Sequence, residues 1–542
     1  MTSWNFADVY ERIAASIPDA PCQVQGDRVV TWGEWDRRAN ALAADLLAAG
    51  LGEQAKVAAY LTNCPEYLEV YLAAFKAGLV PVNTNFRYGP EEIRYLFDNA
   101  DAEAVVFHAG FEETLDIIRA RLPKVKLWIA VSEPGHDAPT WADDYESIVA
   151  KPPASRPVKA PWGRSPDDLL LLYTGGTTGM PKGVMYAHGD LSTTLLARIF
   201  IATGKLPTTV QEIVDFVIKA GDGNVRYLPA CPQMHGTGFF GTMSTILTGG
   251  CVVTVDNAHL DAAAIWTAVD KNRVTNMAIV GDPFGKPLLK ELNENPGKYD
   301  LSCVVAIGSS GAMWSQEVKH GLIEHLPQVM LSDAFASTEA LGMGVSVTQK
   351  GVEPRTASFM IGPNAMVIDD NDQPIEPGSG KSGRLAVGGV LPIGYYKDEE
   401  KTARTFRMLN GKRFSIPGDY AIVETDGRIT LLGRGSNCIN TAGEKVFPEE
   451  VEETLKTYPG VEDALVLGVP DEKWGQAITG VVKLAPGAKF DEAAMRKHVH
   501  EALAGYKAPK HILVAGVNLR APNGKADYKS ASDFAKRELG IG

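Results

Sequence analysis

The stretch 169-LLLLYTGGTTGMPKGV-184 decides how this chain is interpreted. Its leading leucines and tyrosine predict a strand buried on both faces, as in a parallel sheet covered by helices. The glycines that follow let backbone N–H groups approach phosphate oxygens, while threonine hydroxyls and a lysine add donors and positive charge. The stretch therefore predicts a polyphosphate loop made by Thr174, Gly175, Gly176, Thr177, Thr178, Gly179 and Lys182.

This loop is not a Walker A loop. The required Gly-Lys-Ser/Thr ending is missing, and Pro181 precedes the lysine. On these residues alone, a turn that only reverses the chain remains an alternative.

The composition restricts the class of protein. A chain of 542 residues with 45% hydrophobic and 22% charged residues predicts a globular protein of two or more packed units. The net charge of −13 argues against a polynucleotide ligand, because phosphate backbones attract basic surfaces. The six cysteines form no CxxC pair, which favours reduced thiols. With neither a signal peptide nor a long apolar run, we expect a cytoplasmic protein without integral membrane contact.

Apolar runs alternate with helical segments along most of the chain. Strands are predicted at 57–61, 104–107, 169–173, 251–255, 277–280 and 304–307. The spacing predicts a helix over 65–76, and Pro448 begins another over 448–456. This alternation is typical of doubly wound parallel sheets, whereas the short strands and turns of 362–432 indicate a β-rich subdomain. We expect an α/β fold: a large N-terminal domain (1–432) of two doubly wound α/β subdomains plus the small β-rich one, followed by a small α+β C-terminal domain.

The phosphate loop resembles the signature of the adenylate-forming superfamily, which includes acyl-CoA synthetases, firefly luciferase and nonribosomal peptide synthetase adenylation domains. Further motifs of this superfamily recur in order over nearly the whole chain. The resemblance implies an enzyme that uses ATP and Mg²⁺ to make an acyl-adenylate, and then transfers the acyl group to coenzyme A. In character the sequence looks most like actinobacterial acyl-CoA synthetases for fatty, steroid or terpenoid acids.

Three motifs of the N-terminal region carry this resemblance. The element 232-PQMHGTG-238 is similar to the one whose histidine, here His235, borders the substrate carboxylate. Ser310, Gly311 and Ala312 resemble the small-residue loop that packs on adenine. The segment 333-DAFASTE-339 resembles the Tyr-Gly-x-Thr-Glu pattern. There the aromatic residue stacks on adenine, the threonine contacts phosphate and the glutamate holds magnesium.

Within the last motif, the resemblance assigns nucleotide contacts to Asp333, Phe335 and Ala336, catalysis to Thr338, and both catalysis and the metal to Glu339. Phe335 stands where tyrosine is usual and Ala336 where glycine is usual. Stacking survives the first change, but the phenolic hydrogen bond does not. Without the ordered series, these segments would be interpreted as a packed loop, a strand-to-helix turn and a surface helix start.

The C-terminal motifs complete the series. By resemblance, Asp419 and Arg434 contact the ribose, and Lys525 is the catalytic lysine of adenylation. The family's hinge falls at 433–437, where Ser436 replaces the usual acidic residue or lysine. A mobile domain over 438–542 would follow, and the backbone near Gly443 would line the pantetheine tunnel. Taken alone, Asp419 would be a turn residue and Lys525 a solvated charge.

The substrate is the least determined feature. We expect the acyl pocket to include Met234, His235, Phe239, Phe240, Met313 and Gly342. An additional segment, 203–226, could widen its mouth or be an exposed loop without function. A bulky lipophilic acid is ranked first and a medium or long-chain fatty acid second.

Other activities stay open from the sequence. Within the same chemistry these are carrier-protein loading and luciferase-like oxidation. Outside it they are a non-catalytic nucleotide-binding regulator and an ATP-dependent kinase. A homodimer is the expected oligomeric state.

Overall fold

The computed structural model describes residues 4–152, 157–174, 180–221, 224–255, 259–352, 357–441, 444–471, 474–516, 518–521 and 525–541. The side chains of Ser436 and Lys445 are not described. Six of the predicted site residues therefore lie outside the described residues: Gly175, Gly176, Thr177, Thr178, Gly179 and Gly443.

The chain forms two compact units. Unit 1 consists of Met1–Leu341, Val347–Pro354 and Gly388–Arg407. Unit 2 consists of Gly342–Ser346, Arg355–Val387 and Met408–Gly542. Unit 2 thus groups the β-rich segment with the C-terminal segment, and the domain boundary expected at 433 stays a prediction.

The α-helices of the described residues are α1 (Phe6–Ser16), α2 (Trp32–Ala48), α3 (Pro65–Lys76), α4 (Pro90–Asn99), α5 (Glu112–Ile118), α6 (Tyr145–Val149), α7 (His188–Leu195), α8 (Ala197–Thr203), α9 (Val210–Ala220), α10 (Gly236–Leu247), α11 (Ala262–Lys271), α12 (Gly281–Glu294), α13 (Gln316–His325), α14 (Glu399–Thr405), α15 (Pro448–Lys456), α16 (Glu492–Ala502) and α17 (Tyr528–Glu538). None of these described helices combines the length and apolar character that crossing a bilayer requires.

The strands are β1 (Pro21–Gln25), β2 (Arg28–Thr31), β3 (Lys56–Tyr60), β4 (Val80–Asn83), β5 (Ala102–His108), β6 (Leu127–Val131), β7 (Asp143–Asp144), β8 (Leu169–Thr174), β9 (Lys182–Ala187), β10 (Arg226–Pro229), β11 (Cys251–Thr254), β12 (Asn276–Ile279), β13 (Ala306–Ser309) and β14 (Met330–Ser337). They continue with β15 (Ala340–Thr348), β16 (Ser358–Ile361), β17 (Ala365–Ile368), β18 (Ser382–Val387), β19 (Gly394–Tyr395), β20 (Phe406–Leu409), β21 (Lys412–Ser415), β22 (Asp419–Val423), β23 (Arg428–Arg434), β24 (Ile439–Thr441), β25 (Glu444–Val446), β26 (Val461–Asp471), β27 (Gly475–Leu484) and β28 (His511–Val514).

Unit 1 contains two largely parallel sheets covered on both faces. One has the order β19-β9-β8-β4-β3-β5-β6-β7, and the other contains the run β2-β1-β11-β10-β12-β13-β14. Successive residues of a strand contribute to different cores. In β11, Val252 lies in the core around α1, α2 and α3, whereas its neighbour Val253 lies in the core under α11, α12 and α13. Helices therefore lie between the sheets and outside each of them, which confirms the predicted doubly wound α/β class.

Most predicted elements of unit 1 are confirmed. The helix predicted over 65–76 is α3, and the predicted strands at 169–173 and 251–255 are β8 and β11. The strand predicted at 304–307 begins later, at Ala306. Val304 bonds through its backbone to Leu301 in a turn, and pairing with β12 starts only at Ala306. The apolar run is thus longer than the part of it that enters the sheet.

Unit 2 contains antiparallel strand pairs, followed along the chain by a mixed sheet. Strands β15, β16, β23, β22, β18 and β17 pair antiparallel, which confirms the predicted β-rich segment. A second sheet has the order β25-β24-β27-β26, and β28 pairs parallel with β27. Alternate residues of β26 face opposite sides, so that Val466 packs with α15 and α16 while Leu465 packs with α17. Helix α15 has the predicted bounds 448–456.

The described residues of the segment 203–226 include helix α9, so the expectation of an exposed loop is wrong, whereas the segment's role stays a prediction. Thr209 caps α9 by accepting a hydrogen bond from the backbone N of Glu212 at 3.2 Å. One face of α9, formed by Ile213, Val214 and Val217, is buried in the same core as helix α1. The sequence pattern hid this because the helix is short and flanked by turn residues.

We expect Ile213→Ala to destabilise unit 1, since it removes buried methyl and methylene groups from this core. The expected loss is about 2–5 kcal/mol of unfolding free energy, seen as a lower thermal unfolding midpoint. Ile218→Ala is the matched control on the same helix, because Ile218 is more than half exposed. Equal midpoints for the two variants would contradict a packed role for α9.

Candidate active site

The phosphate-loop segment joins two adjacent antiparallel strands. Thr174 ends β8 and pairs with Lys182, the first residue of β9. A strand-to-strand connection differs from the strand-to-helix connection of a Walker A loop, in line with the sequence prediction. The glycines and threonines between the two strands lie outside the described residues.

Lys182 is held by a carboxylate that sequence reasoning missed. Its Nζ donates to Oδ2 of Asp398, which also caps α14 by accepting from the backbone N of Lys401 at 3.0 Å. The hydrogen bond from Lys182 lowers the pKa of Asp398. The sequence does show Asp398 as a helix-capping residue ahead of Glu399 and Glu400, but this pattern does not reveal that Asp398 binds Lys182.

Thr338 and Glu339 are fixed by two tyrosines. The Tyr186 hydroxyl donates to the Thr338 carbonyl at 2.6 Å, and the Tyr395 hydroxyl donates to Oε1 of the buried Glu339 at 2.7 Å. Tyr186 lies on β9, and Tyr395 on β19 pairs with Val184 of β9. The strand that begins with the phosphate-loop lysine therefore also positions the Thr-Glu pair.

The His235 segment lies beside this pair. His235 precedes α10 as its N-cap residue. A Cβ built on Gly236 would stand 3.7 Å from the Thr338 hydroxyl oxygen and 3.2 Å from the Phe240 ring. The structure thus places the residue next to His235 beside Thr338.

The predicted adenine platform lies at the carboxyl end of β13 and β14. These strands are parallel, and Ser309 pairs with Asp333. Ser310, Gly311 and Ala312 follow β13 directly, and the Ser310 carbonyl accepts from the Thr237 hydroxyl at 3.3 Å. Phe335 and Ala336 are part-exposed near the end of β14. Ligands of open α/β sheets bind at this edge.

Two predicted acyl-pocket residues, Phe239 and Met234, are buried. Phe239 is fully buried, with its ring centroid 5.3 Å from that of Tyr71. Met234 is buried, and its carbonyl accepts from Asn83 at 2.7 Å. Phe240 is half-buried against Tyr186, with ring centroids 5.9 Å apart. Helical position decides which of two adjacent phenylalanines faces the core. That these residues line an acyl pocket stays a prediction.

Met313 lies in unit 1, whereas Gly342, Asp419, Arg434, Ser436 and Lys525 lie in unit 2. Asp419 and Arg434 are direct partners across β22 and β23, with Arg434 Nε 3.4 Å from Asp419 Oδ1. The structure therefore places the two predicted ribose contacts side by side. Asp419 is buried, whereas Arg434 is partly exposed.

Two further predicted residues follow this pair along the chain. Ser436 lies in a 3-10 turn, Gly435–Asn437. Lys525 is exposed, and its carbonyl accepts from the backbone N of Ala521 at 2.8 Å.

Glu449 is a second residue that sequence reasoning missed. Its carboxylate packs on Gly433, where an added Cβ would lie 2.0 Å from Oε2, and Arg434 N donates to Oε1 at 3.5 Å. Gly433 has a φ of +113°, so both its backbone conformation and its contact require glycine. Burial raises the pKa of Glu449 to about 8, with repulsion from Glu452 and Asp419 adding to it.

Sequence profiles identify two regions of the chain. The profile of the AMP-binding enzyme family matches residues 10–396, well over half of the chain. That of the AMP-binding enzyme C-terminal domain matches residues 450–525. The chain belongs to the AMP-binding enzyme family. The predicted membership in the adenylate-forming superfamily is confirmed.

Curated relatives of this AMP-binding enzyme match over nearly its whole length. A medium/long-chain-fatty-acid–CoA/3-oxocholest-4-en-26-oate–CoA ligase of Mycolicibacterium smegmatis is 38% identical, covering 98% of this chain and 96% of that protein. A 3-oxocholest-4-en-26-oate–CoA ligase of Rhodococcus rhodochrous is also 38% identical, covering 98% and 95%. Among solved structures, the anthranilate CoA ligase AuaEII with anthranoyl-AMP aligns over 99% of both chains, with a TM-score of 0.82 and 20% identity. That likeness supports the fold.

We expect the buried Glu449 to make this AMP-binding enzyme less stable as pH rises. Its pKa is about 8 when folded and near 4.5 when unfolded. Folded protein therefore keeps a proton that unfolded protein loses, and stability falls between about pH 4.5 and pH 8. Glu449→Gln should raise the thermal midpoint most at pH 8 and least at pH 5. A midpoint difference that is independent of pH would contradict a buried proton on Glu449.

Proposed function

We propose that this AMP-binding enzyme is an acyl-CoA synthetase that converts a lipophilic carboxylic acid to its coenzyme A thioester, with release of AMP and pyrophosphate. The observation that carries the proposal is the grouping in unit 1 of Lys182, Thr338 and Glu339, which strand β9 links through Tyr186 and Tyr395. Full-length relatives named as CoA ligases support it.

In the first half-reaction the substrate carboxylate attacks the α-phosphorus of ATP and pyrophosphate leaves. Negative charge builds on the non-bridging oxygens, so groups that neutralise it lower the barrier. Lys182 offers a cation held in place by Asp398, and Thr338 offers a hydroxyl. By resemblance, Lys525 supplies the charge at the α-phosphate. His235 would orient the carboxylate.

Nucleotide binding is assigned to residues already located. We propose that the adenine lies against Phe335 and the loop of Ser310, Gly311 and Ala312. Asp419 would accept from the ribose hydroxyls, since a buried carboxylate takes two donors well. Arg434, 3.4 Å from Asp419, would pair with that carboxylate.

Glu339 fits the magnesium ion that the family implies. Mg²⁺ is usually bound by one or two carboxylates together with substrate phosphates. Tyr395 holds one oxygen of Glu339 and leaves the second for a ligand. When bound, Mg²⁺ would neutralise phosphate charge.

In the second half-reaction the thiol of coenzyme A attacks the acyl carbonyl and AMP leaves. We propose that the C-terminal segment turns about 433–437 between the two steps, so that Lys525 withdraws and the backbone near Gly443 admits the thiol. Glu449, packed on Gly433, lies where such a turn would begin.

For the acid, we propose a bulky polycyclic or long-chain compound. The names of the two relatives, which include steroid and fatty acids, support this class. A medium or long-chain fatty acid is the alternative. A cytoplasmic location and a homodimer complete the proposal, and sedimentation analysis tests the latter.

A panel of acids tests the function. We expect AMP and pyrophosphate from ATP with fatty and steroid acids, and acyl-CoA only when coenzyme A is added. Short hydrophilic acids should give little product, since they bury little apolar surface. Tight ATP binding without AMP from any acid would favour the non-catalytic regulator, and ADP would indicate a kinase.

Lys525→Ala separates the two steps. Loss of one charge-stabilising group costs about 3–4 kcal/mol in the transition state, so adenylation should fall by at least about a hundredfold. Thioester formation from preformed acyl-adenylate should be nearly unchanged. Lys529→Ala, on the nearby α17, is the control for a general loss of charge. A Lys525 variant equally inactive in both half-reactions would contradict the separate roles.

A further inference from the structure

A buried ion pair lies beneath the predicted adenine platform. Lys319 of α13 places Nζ 3.1 Å from Oδ2 of Asp333 on β14. Their side chains are only 1% and 8% exposed. Burying two charges costs several kcal/mol per ion before their attraction is counted. A surface role does not explain a pair so enclosed.

The surroundings make Asp333 dependent on this lysine. Burial raises the pKa of Asp333, Lys319 lowers it, and the Asp282 carboxylate on α12 raises it again. Asp282 accepts hydrogen bonds from the backbone N and the hydroxyl of Ser315. Lys286 Nζ lies 3.7 Å from Oδ2 of Asp282. Within the described part of the chain, Lys319 is the one cation bonded to Asp333.

Asp333 lies next to the residues of the predicted adenine platform. Residues two apart on a strand share a face, so Asp333 lies on the face of Phe335. It is also the sheet partner of Ser309, which leads directly into Ser310 and Gly311. Lys319 bonds one oxygen of the carboxylate, and no other described residue donates a hydrogen bond to the second.

We propose that Lys319 is a positioning residue whose ammonium group fixes the Asp333 carboxylate so that its second oxygen accepts a hydrogen bond from the exocyclic amino group of adenine. This inference rests on the proposed function, which already places adenine at the platform, and it adds the residue that positions Asp333. A carboxylate only accepts hydrogen bonds. It therefore matches the amino group of adenine and repels the O6 acceptor that guanine presents there.

The alternative is an ion pair that only stabilises unit 1. Both interpretations predict a lower thermal midpoint when Lys319 is removed, because a lone buried carboxylate remains. They differ for the nucleotide. Only a positioning role predicts a change in the preference for ATP over GTP.

Binding measurements on the full chain test this directly. Isothermal titration with ATP and with GTP needs no turnover, so its result stands even if the proposed reaction fails. We expect Lys319→Met to weaken ATP binding by about tenfold or more, as for loss of a hydrogen bond to a charged group. GTP binding should change less, so the ATP preference falls. Lys286→Met, which removes a neighbouring cation without a bond to Asp333, should leave the preference unchanged.

A double variant distinguishes loss of positioning from simple misfolding. An asparagine at position 333 still presents a carbonyl acceptor but carries no charge that needs a partner. Lys319→Met combined with Asp333→Asn should therefore bind ATP within about threefold of the parent chain and regain its thermal midpoint. Lys319→Arg should keep most of the preference, because it keeps the cation.

The pH dependence gives a second readout. Without Lys319, the carboxyl of Asp333 retains its proton to higher pH, and the O–H of a protonated carboxyl donates where a carboxylate oxygen would accept. ATP binding by Lys319→Met should strengthen as pH rises, whereas the double variant should lack this trend. A Lys319→Met chain with a lower midpoint, but with the parent's ATP preference and pH profile, would overturn the proposal.

Discussion

Helix α3 has no side that faces solvent, and the architecture of unit 1 depends on this constraint. All twelve of its residues are buried, including charged ones. Lys76 bonds Glu11 of α1 and Asp36 of α2, each at 2.6 Å. Glu69 accepts two bonds from Arg38 and one from the Tyr145 hydroxyl. Since an unpaired buried charge costs several kcal/mol, these partners fix α1, α2 and α6 around α3, and the two sheets then enclose this layer.

The same layering explains where the candidate site forms. Parallel strands covered on both faces leave only their ends accessible, and β13 and β14 end together at the predicted adenine platform. The antiparallel β8–β9 hairpin carries Lys182 at one such end, and β19 pairs with the outer strand β9. Through this edge pairing Tyr395 reaches Glu339. A rigid scaffold thus holds polar groups that are contributed by segments distant in sequence.

Local signals predicted much of this fold. Helical spacing predicted α3 and an initiating proline predicted α15, both with their observed bounds, because these signals are local. Doubly buried strands such as β8 were equally clear. What local signals left open shares one cause: burial is not local. Phe239 is fully buried although its neighbour Phe240 is only partly so, and α9 packs in the same core as α1.

The sequence by itself determined the family, the order of the motifs and the residue types that each step of the chemistry needs. The glycines predicted to bind phosphate, the aromatic residue predicted to stack on adenine and the predicted catalytic lysine can be recognised because each motif is short. Only the tertiary structure decided which partners hold these groups. Lys182 meets Asp398 across 216 residues and Glu339 meets Tyr395 across 56. Lys319 beneath Asp333 and Glu449 on Gly433 are likewise products of packing. Charge pairing acts through space, so no pattern along the chain records it.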